Sequence, residues 1–124
     1  MRKIYHIAVE ATLDVIGGKW KPIILCHLGQ GTLRTGELAR LIPNVSQRVL
    51  TRQLRELEAD RIVQRRVYKQ VPPKVEYSLT DEGRSLRDIL IAMSEWGENR
   101  VQEAQEQGKD VKILNHNQAG FHQM

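Results

Sequence analysis

Three arginines, two glutamines and a threonine share one short stretch, Gln47-Arg48-Val49-Leu50-Thr51-Arg52-Gln53-Leu54-Arg55. On a helix advancing about 100° per residue, Gln47, Arg48, Thr51, Arg52 and Arg55 occupy one arc of roughly 140°, with Val49, Leu50, Leu54 and Leu57 opposite. One face packs and the other presents hydrogen-bond donors. A guanidinium fork at Arg48 or Arg52 matches guanine O6 and N7, the Gln47 amide matches adenine N6 and N7, and Thr51 suits a thymine methyl or a phosphate. Those residue types point to reading a nucleic acid rather than to making or breaking bonds. Ser46 is suited to accept hydrogen bonds from the free N–H groups of the first turn, so the helix starts there. Glu56, Glu58 and Asp60 crowd its other end, where they oppose the helix dipole and repel phosphates, so that end points away from a polyanion.

A second basic group follows at Arg65, Arg66, Lys69 and Lys74, placed to meet a phosphate backbone or a minor groove and to add affinity more than sequence choice. Lysines on strand edges also deter aggregation, which is the plainer reading of Lys69 and Lys74. Arg34 and Thr35 stand at the entry to the preceding helix and can add phosphate contacts. The charge distribution agrees: residues 46–74 hold eight Lys/Arg against three acids, whereas residues 80–124 hold five against eight. A basic cluster often only solvates a face, and here its placement on a recognition helix decides the matter.

Other chemistries find no support. His6, His27, His116 and His122 do not form a metal-ligand spacing with Cys26 or nearby carboxylates, so no metal and no cofactor is expected. There is no phosphate-binding glycine loop after a strand, no nucleophile elbow and no evident carboxylate pair, which argues against an enzyme.

The elements needed to position these residues are legible. Val9 to Ile16 reads as a helix stopped by Gly17-Gly18, and a second helix follows from Lys19 to Leu28, with Pro22 tolerable in its first turn. Thr35 is the expected N-cap of a short helix from Gly36 to Leu41, and Ile42-Pro43-Asn44-Val45 makes the turn into Ser46. Ile62 to Lys69 and Val75 to Leu79 read as two strands joined across Val71-Pro72-Pro73-Lys74, forming a hairpin. Thr80 caps a longer helix in which Leu86, Ile89, Leu90, Met93, Trp96 and Val101 recur at three- and four-residue spacing. That stripe exceeds what a small domain can cover, and Leu86, Ile89, Leu90, Met93 and Trp96 are expected to form a dimer interface. The fold class is α+β, mainly α: a winged helix-turn-helix with a two-stranded wing and terminal dimerisation helices.

A chain of 124 residues suits one domain, assigned to residues 6–104, with 105–124 a polar, flexible tail. No apolar run approaches the ~20 residues that span a bilayer, and Glu10 and Asp14 interrupt any secretory core, so a cytoplasmic location is expected.

The chain resembles the HxlR-type transcriptional regulators, winged-helix relatives of the MarR regulators. The resemblance rests on Ile16-Gly17-Gly18-Lys19-Trp20, on Ser46 to Thr51 leading into Leu54-Arg55-Glu56-Leu57-Glu58, and on Val71-Pro72-Pro73-Lys74-Val75-Glu76-Tyr77-Ser78-Leu79-Thr80, and it extends from about His6 to Trp96. It implies a homodimer on an inverted-repeat operator in duplex DNA, acting as a repressor, without catalysis. The alternative is a winged helix that docks an acidic protein, for which the arginine arc, lacking an exposed aromatic anchor, is the poorer fit. Members that sense electrophiles carry a cysteine where this chain has His6, so thiol sensing does not transfer. His6 is expected to pack or hydrogen-bond near the dimer interface. Cys26, within Ile23-Ile24-Leu25-Cys26-His27-Leu28, is expected to be buried and inert.

Overall fold

Helix α4 (Gln47–Ala59) supplies the centre of the core, because Leu50, Leu54 and Leu57 are fully buried along one side while Arg48, Thr51 and Arg52 face solvent. The computed structural model describes residues 2–116 and 119–124, and Asn117 and Gln118, read as part of the tail, lie outside the described residues. The Ser46 hydroxyl accepts a hydrogen bond from the Val49 N–H at 3.1 Å, the expected N-cap. At the other end Arg61 takes the left-handed conformation (φ 62°), the Ile62 N–H donates to the Leu57 carbonyl at 2.9 Å, and the Arg61 N–H donates to Glu58 at 3.0 Å. That is a Schellman stop built without glycine.

Helices α1 (Ala8–Ile16), α2 (Trp20–Leu28) and α3 (Thr35–Leu41) precede it. Between α1 and α2, Gly18 carries the positive φ of 91° and Gly17 is near-extended, so only the second glycine supplies the left-handed turn. Thr35 is the first residue of α3, not its cap. The preceding position, Arg34, is the N-cap, and its backbone N–H donates to the Glu37 carboxylate at 2.9 Å.

Strand β1 (Leu33–Arg34), read from sequence only as an approach to α3, pairs antiparallel with β3 (Lys74–Leu79), which pairs with β2 (Val63–Tyr68). The β2–β3 hairpin is the expected two-stranded wing, and β1 extends it to a three-stranded sheet in the order β1-β3-β2. The Val71-Pro72 bond at the hairpin tip is cis.

Thr80 caps a helix as expected, its Oγ1 accepting from the Gly83 N–H at 3.0 Å, but that helix is the single turn α5 (Asp81–Arg84). The chain restarts as α6 (Arg87–Glu106). The apolar stripe lies wholly after the break and splits by helix face: Leu86 and Leu90 are taken up by the chain's own core, and Ile89, Met93 and Trp96 stay exposed, Trp96 at 69%.

The tail also departs from expectation. Residues Ala119–His122 form a short helix, α7, whose Phe121 is buried in the core. Gly120 sits so close to α2 that a methyl there would collide with the Cys26 carbonyl, and the Arg87 guanidinium donates to the His122 carbonyl at 3.3 Å. A polar composition hid one aromatic anchor and one glycine that permits backbone contact. Truncation after Gly108 is expected to lower the thermal unfolding midpoint, and Phe121→Ala alone to cost about 3 kcal/mol. Circular dichroism melts check this, and an unchanged midpoint would mean that the tail does not dock in solution.

Candidate nucleic-acid interface

The arc read from the sequence is present on α4. Gln47, Arg48, Thr51, Arg52 and Arg55 are all exposed, and Ser46 is exposed at the helix start. Arg55 leans toward the acidic end, its guanidinium 4.0 Å from the Glu58 carboxylate. The far end of α4 is not left with bare acids: Glu58 also faces Arg65 at 3.5 Å, and Glu56 lies 3.1 Å from the Lys21 ammonium.

Strand alternation separates the wing cations. Arg65 pairs in register with Tyr77 and is only about a quarter exposed, so it belongs with Glu58 on the inner side rather than with a backbone-facing group. Its Nε, buried, has the Glu58 carboxylate as its nearest partner at ion-pair distance only. Arg66 is on the opposite face beside Tyr68, its guanidinium carbon 4.9 Å from the ring centroid, and Lys74, opposite Tyr68 across the hairpin, stands 4.8 Å from the same ring. Tyr68 is a platform between two cations, a geometry worth about 0.5 to 1 kcal/mol per contact at an exposed site. Lys69 is exposed at the tip.

Glu76 completes this face. Lys74 lies 2.7 Å from it, the Tyr68 hydroxyl donates to it at 3.3 Å, and Arg34 is its register partner on β1. The hydrogen bond from Lys74, its charge, the Tyr68 hydroxyl and the Arg34 charge together hold the Glu76 carboxyl below the usual carboxylate range. Arg34, Arg40 and Lys74, with Glu37 and Glu76, line an open cleft of about 580 Å³ between α3 and the wing. The strand β1 thus brings Arg34 from the approach to α3 onto the wing, and Thr35, half-buried, follows as the first residue of α3.

Three residues of this arrangement escaped the sequence reading. Tyr68 was visible as an aromatic two residues from Arg66 and across from Lys74, which is the spacing of one strand face. Arg40 lies six residues from Arg34, off the three- and four-residue spacing of helical neighbours, and reaches the cleft from the last turn of α3. Lys21 gave no signal at all: its side chain is 9% exposed and reaches Glu56 from another helix.

A model of HxlR-like helix-turn-helix proteins matches residues 15–105. The chain belongs to the HxlR-like helix-turn-helix family. It is 61% identical over 100 residues to the HTH-type transcriptional regulator YtcD of Bacillus subtilis (strain 168), covering 81% of this chain and 79% of that one. An HTH-type transcriptional regulator of Methanothermobacter thermautotrophicus is 52% identical over 93 residues, covering 75% and 71%. Among solved structures, ytcD superposes with a TM-score of 0.73 at 59% identity over 77% of this chain and 98% of that one. The redox regulator HypR in its oxidised form gives 0.71 at 60% over 75% and 96%. The HxlR chain described here is accordingly a transcriptional regulator with a winged helix-turn-helix DNA-binding domain. No helix among its described residues is long and apolar enough to cross a membrane.

In this HxlR domain the Lys21–Glu56 pair ties α2 to the acidic end of α4. Removing one partner leaves a buried ammonium uncompensated, though Glu56, nearly half exposed, lets water soften the loss. Glu56→Gln is expected to cost about 1 to 2 kcal/mol in urea unfolding, below the range for a fully buried pair. Lys21→Met, which keeps the packing and removes the charge, is expected to lose less, and the reverse order would show that the pair does not hold α4.

Proposed function

We propose that the protein is a homodimeric repressor that binds an inverted-repeat operator, with α4 in the major groove and the wing on the adjacent backbone. The observation that carries this reading is the division of α4: Leu50, Leu54 and Leu57 are completely buried while Gln47, Arg48, Thr51 and Arg52 are exposed along the helix's N-terminal half. Helix-turn-helix docking uses the first turns of the second helix. Arg48 and Arg52 read base edges, Arg55 and Ser46 flank them, and Arg66, Lys69, Lys74 and Arg34 meet phosphates. Arg65, held by Glu58, positions α4 against the wing rather than touching DNA. A dimer seated over a promoter occludes polymerase, which makes repression the outcome, and a chromosomal partner makes the cytoplasm the place of action.

A mobility shift with the protein's own upstream intergenic DNA tests the reading. Arg48→Ala or Arg52→Ala is expected to cost about 1 to 3 kcal/mol and to relax specificity at one position, whereas Lys69→Ala weakens all sequences alike and reduces the salt slope by about one. A double Arg48, Arg52 alanine variant that binds the operator like the native protein would end this docking scheme.

Dimerisation is supported by the apolar surface left on α1 and α6. Ile4, Ile7, Val9 and Leu13 on the amino-terminal side, and Ile89, Met93 and Trp96 on α6, are all exposed, and Ala11 and Val15 lie across a shallow cleft from Leu86 and Ile89. A two-fold pairing through this face sets the recognition helices about 34 Å apart, one turn of duplex. Met93→Glu is expected to give a monomer at micromolar concentration in sedimentation, and a dimer that survives it would move the interface elsewhere.

HypR is described as a redox regulator. In the present chain the one cysteine, Cys26, is half-buried beneath α7, and burial pushes its thiol up from its ordinary value although backbone N–H groups of Gly120 and Phe121 partly oppose the shift. A thiol so placed is a poor nucleophile. His6, at the position of the relatives' sensing cysteine, has a side chain 93% exposed and 3.9 Å from Glu10, solvated rather than packed. The signal is therefore of another kind.

A further inference from the structure

Behind the helix-turn-helix, on the side of α2 away from the sheet, lies a cavity of about 560 Å³. Its walls come from three segments: Trp20, Ile23 and His27 of α2, Leu41 and Pro43 at the end of α3, and Phe121 of α7, with Leu114 at the mouth. The volume is within the range of small-molecule sites, and the lining is mainly apolar with a few polar groups. Its charge is one-sided. Among the described residues that line it there is no Asp or Glu, while Lys19 stands at the rim with its ammonium 4.7 Å from the centroid of the Trp20 ring. His27 is held neutral more firmly than an ordinary imidazole because burial lowers its proton affinity, so it offers one donor and one acceptor without adding charge.

We propose that this cavity is a binding site for a small, largely apolar monoanion, whose hydrocarbon body lies against Trp20, Ile23 and Phe121 and whose anionic group meets Lys19. A neutral apolar molecule leaves the Lys19 charge unused at the rim, and a cation meets repulsion there with no carboxylate to offset it. The position of the cavity gives occupancy a consequence. Its second wall, the Leu41–Asn44 turn, runs directly into Val45 and Ser46, the residues that launch α4, and the Val45 N–H donates to the Ile42 carbonyl at 3.3 Å. A ligand wedged between α2 and this turn shifts the angle at which α4 leaves it. That second step rests on the DNA-binding reading above; the binding step does not.

The probe is 1-anilinonaphthalene-8-sulfonate, an apolar monoanion, set against N-phenyl-1-naphthylamine, its uncharged counterpart. In a Trp96→Phe background Trp20 is the remaining tryptophan, so energy transfer from Trp20 reports bound probe, and its weakening by substitutions in the cavity wall assigns the probe to this cavity rather than to the exposed α1 and α6 surface. The expected result is saturable quenching of Trp20 by the sulfonate, weakened on the order of tenfold by Lys19→Glu and by Leu41→Glu, the latter at a half-exposed wall position where a carboxylate does not disturb the core. Equal binding of the neutral probe, or indifference to both substitutions, overturns the site. In the native chain the sulfonate is expected to weaken the operator shift, and in Leu41→Glu to leave it unchanged. Quenching without any effect on the shift overturns the coupling to α4. Failure of every variant to bind DNA, with quenching intact, overturns the DNA reading and leaves the site standing.

Discussion

The burial of Leu50, Leu54 and Leu57 is the constraint from which the rest of the molecule follows, because it fixes the rotation of α4 about its own axis. Each of these side chains is fully removed from solvent, and exposing even one costs about 2 kcal/mol or more. A helix turned by a single residue, roughly 100°, buries Thr51, Arg55 and Glu58, or Gln53 and Glu56, in exchange, and so takes charged groups out of water. The outward aim of the donors is thus a consequence of the core. Two ion pairs hold what rotation alone leaves free: Lys21–Glu56 to α2 and Arg65–Glu58 to the sheet. Both occupy the acidic end, so the amino-terminal half of α4, with Arg48 and Arg52, carries none of the tethering charge and stays exposed.

The wing is arranged on the same principle at a smaller scale. Tyr68 supplies an apolar surface on which Arg66 and Lys74 rest, and Glu76 sets Lys74 by a contact of 2.7 Å. Cations held on a ring lose less side-chain freedom on meeting a phosphate than cations swinging in solvent. Arg34 joins the group only because β1 pairs with β3, which brings the start of α3 beside Lys74 and Glu76 of the wing.

The elements whose specification is local were legible in the sequence. The α4 periodicity, the Ser46 cap, the turn through Pro43 and the β2–β3 hairpin each arise from residues within a few positions of one another. What escaped depends on contacts between distant segments. A two-residue strand at Leu33–Arg34 carries no period to detect, and its pairing is set by Glu76 and Tyr77. The inward turn of Arg65 is written in the strand parity but becomes decisive only through Glu58. The division of the α6 stripe is one of faces on a single helix, Leu86 and Leu90 turned to the core and Ile89, Met93 and Trp96 turned away, and their spacing alone does not say which face the rest of the chain covers. Composition misled at the tail, since Phe121 is the one phenylalanine in the chain and a mostly polar segment needs only that one anchor to dock.

Helix α2 connects these parts. One side buries Ile24, Leu25 and Leu28 in the core, Lys21 reaches α4, and the remaining side carries Trp20, Ile23, Cys26 and His27 beneath α7. Gly120 lies so close to the Cys26 carbonyl that any side chain there would collide with it, so the α7 backbone packs directly on α2 at Cys26. Cys26 also lines the cavity, so a small oxidant reaches it by the same route as a ligand, and what keeps the half-buried thiol a poor nucleophile is that burial holds it protonated. A small apolar molecule entering beside Trp20 needs no thiolate. The packing that desolvates the thiol is the same packing that leaves a cavity next to it, so this fold favours control by occupancy over control by thiol chemistry.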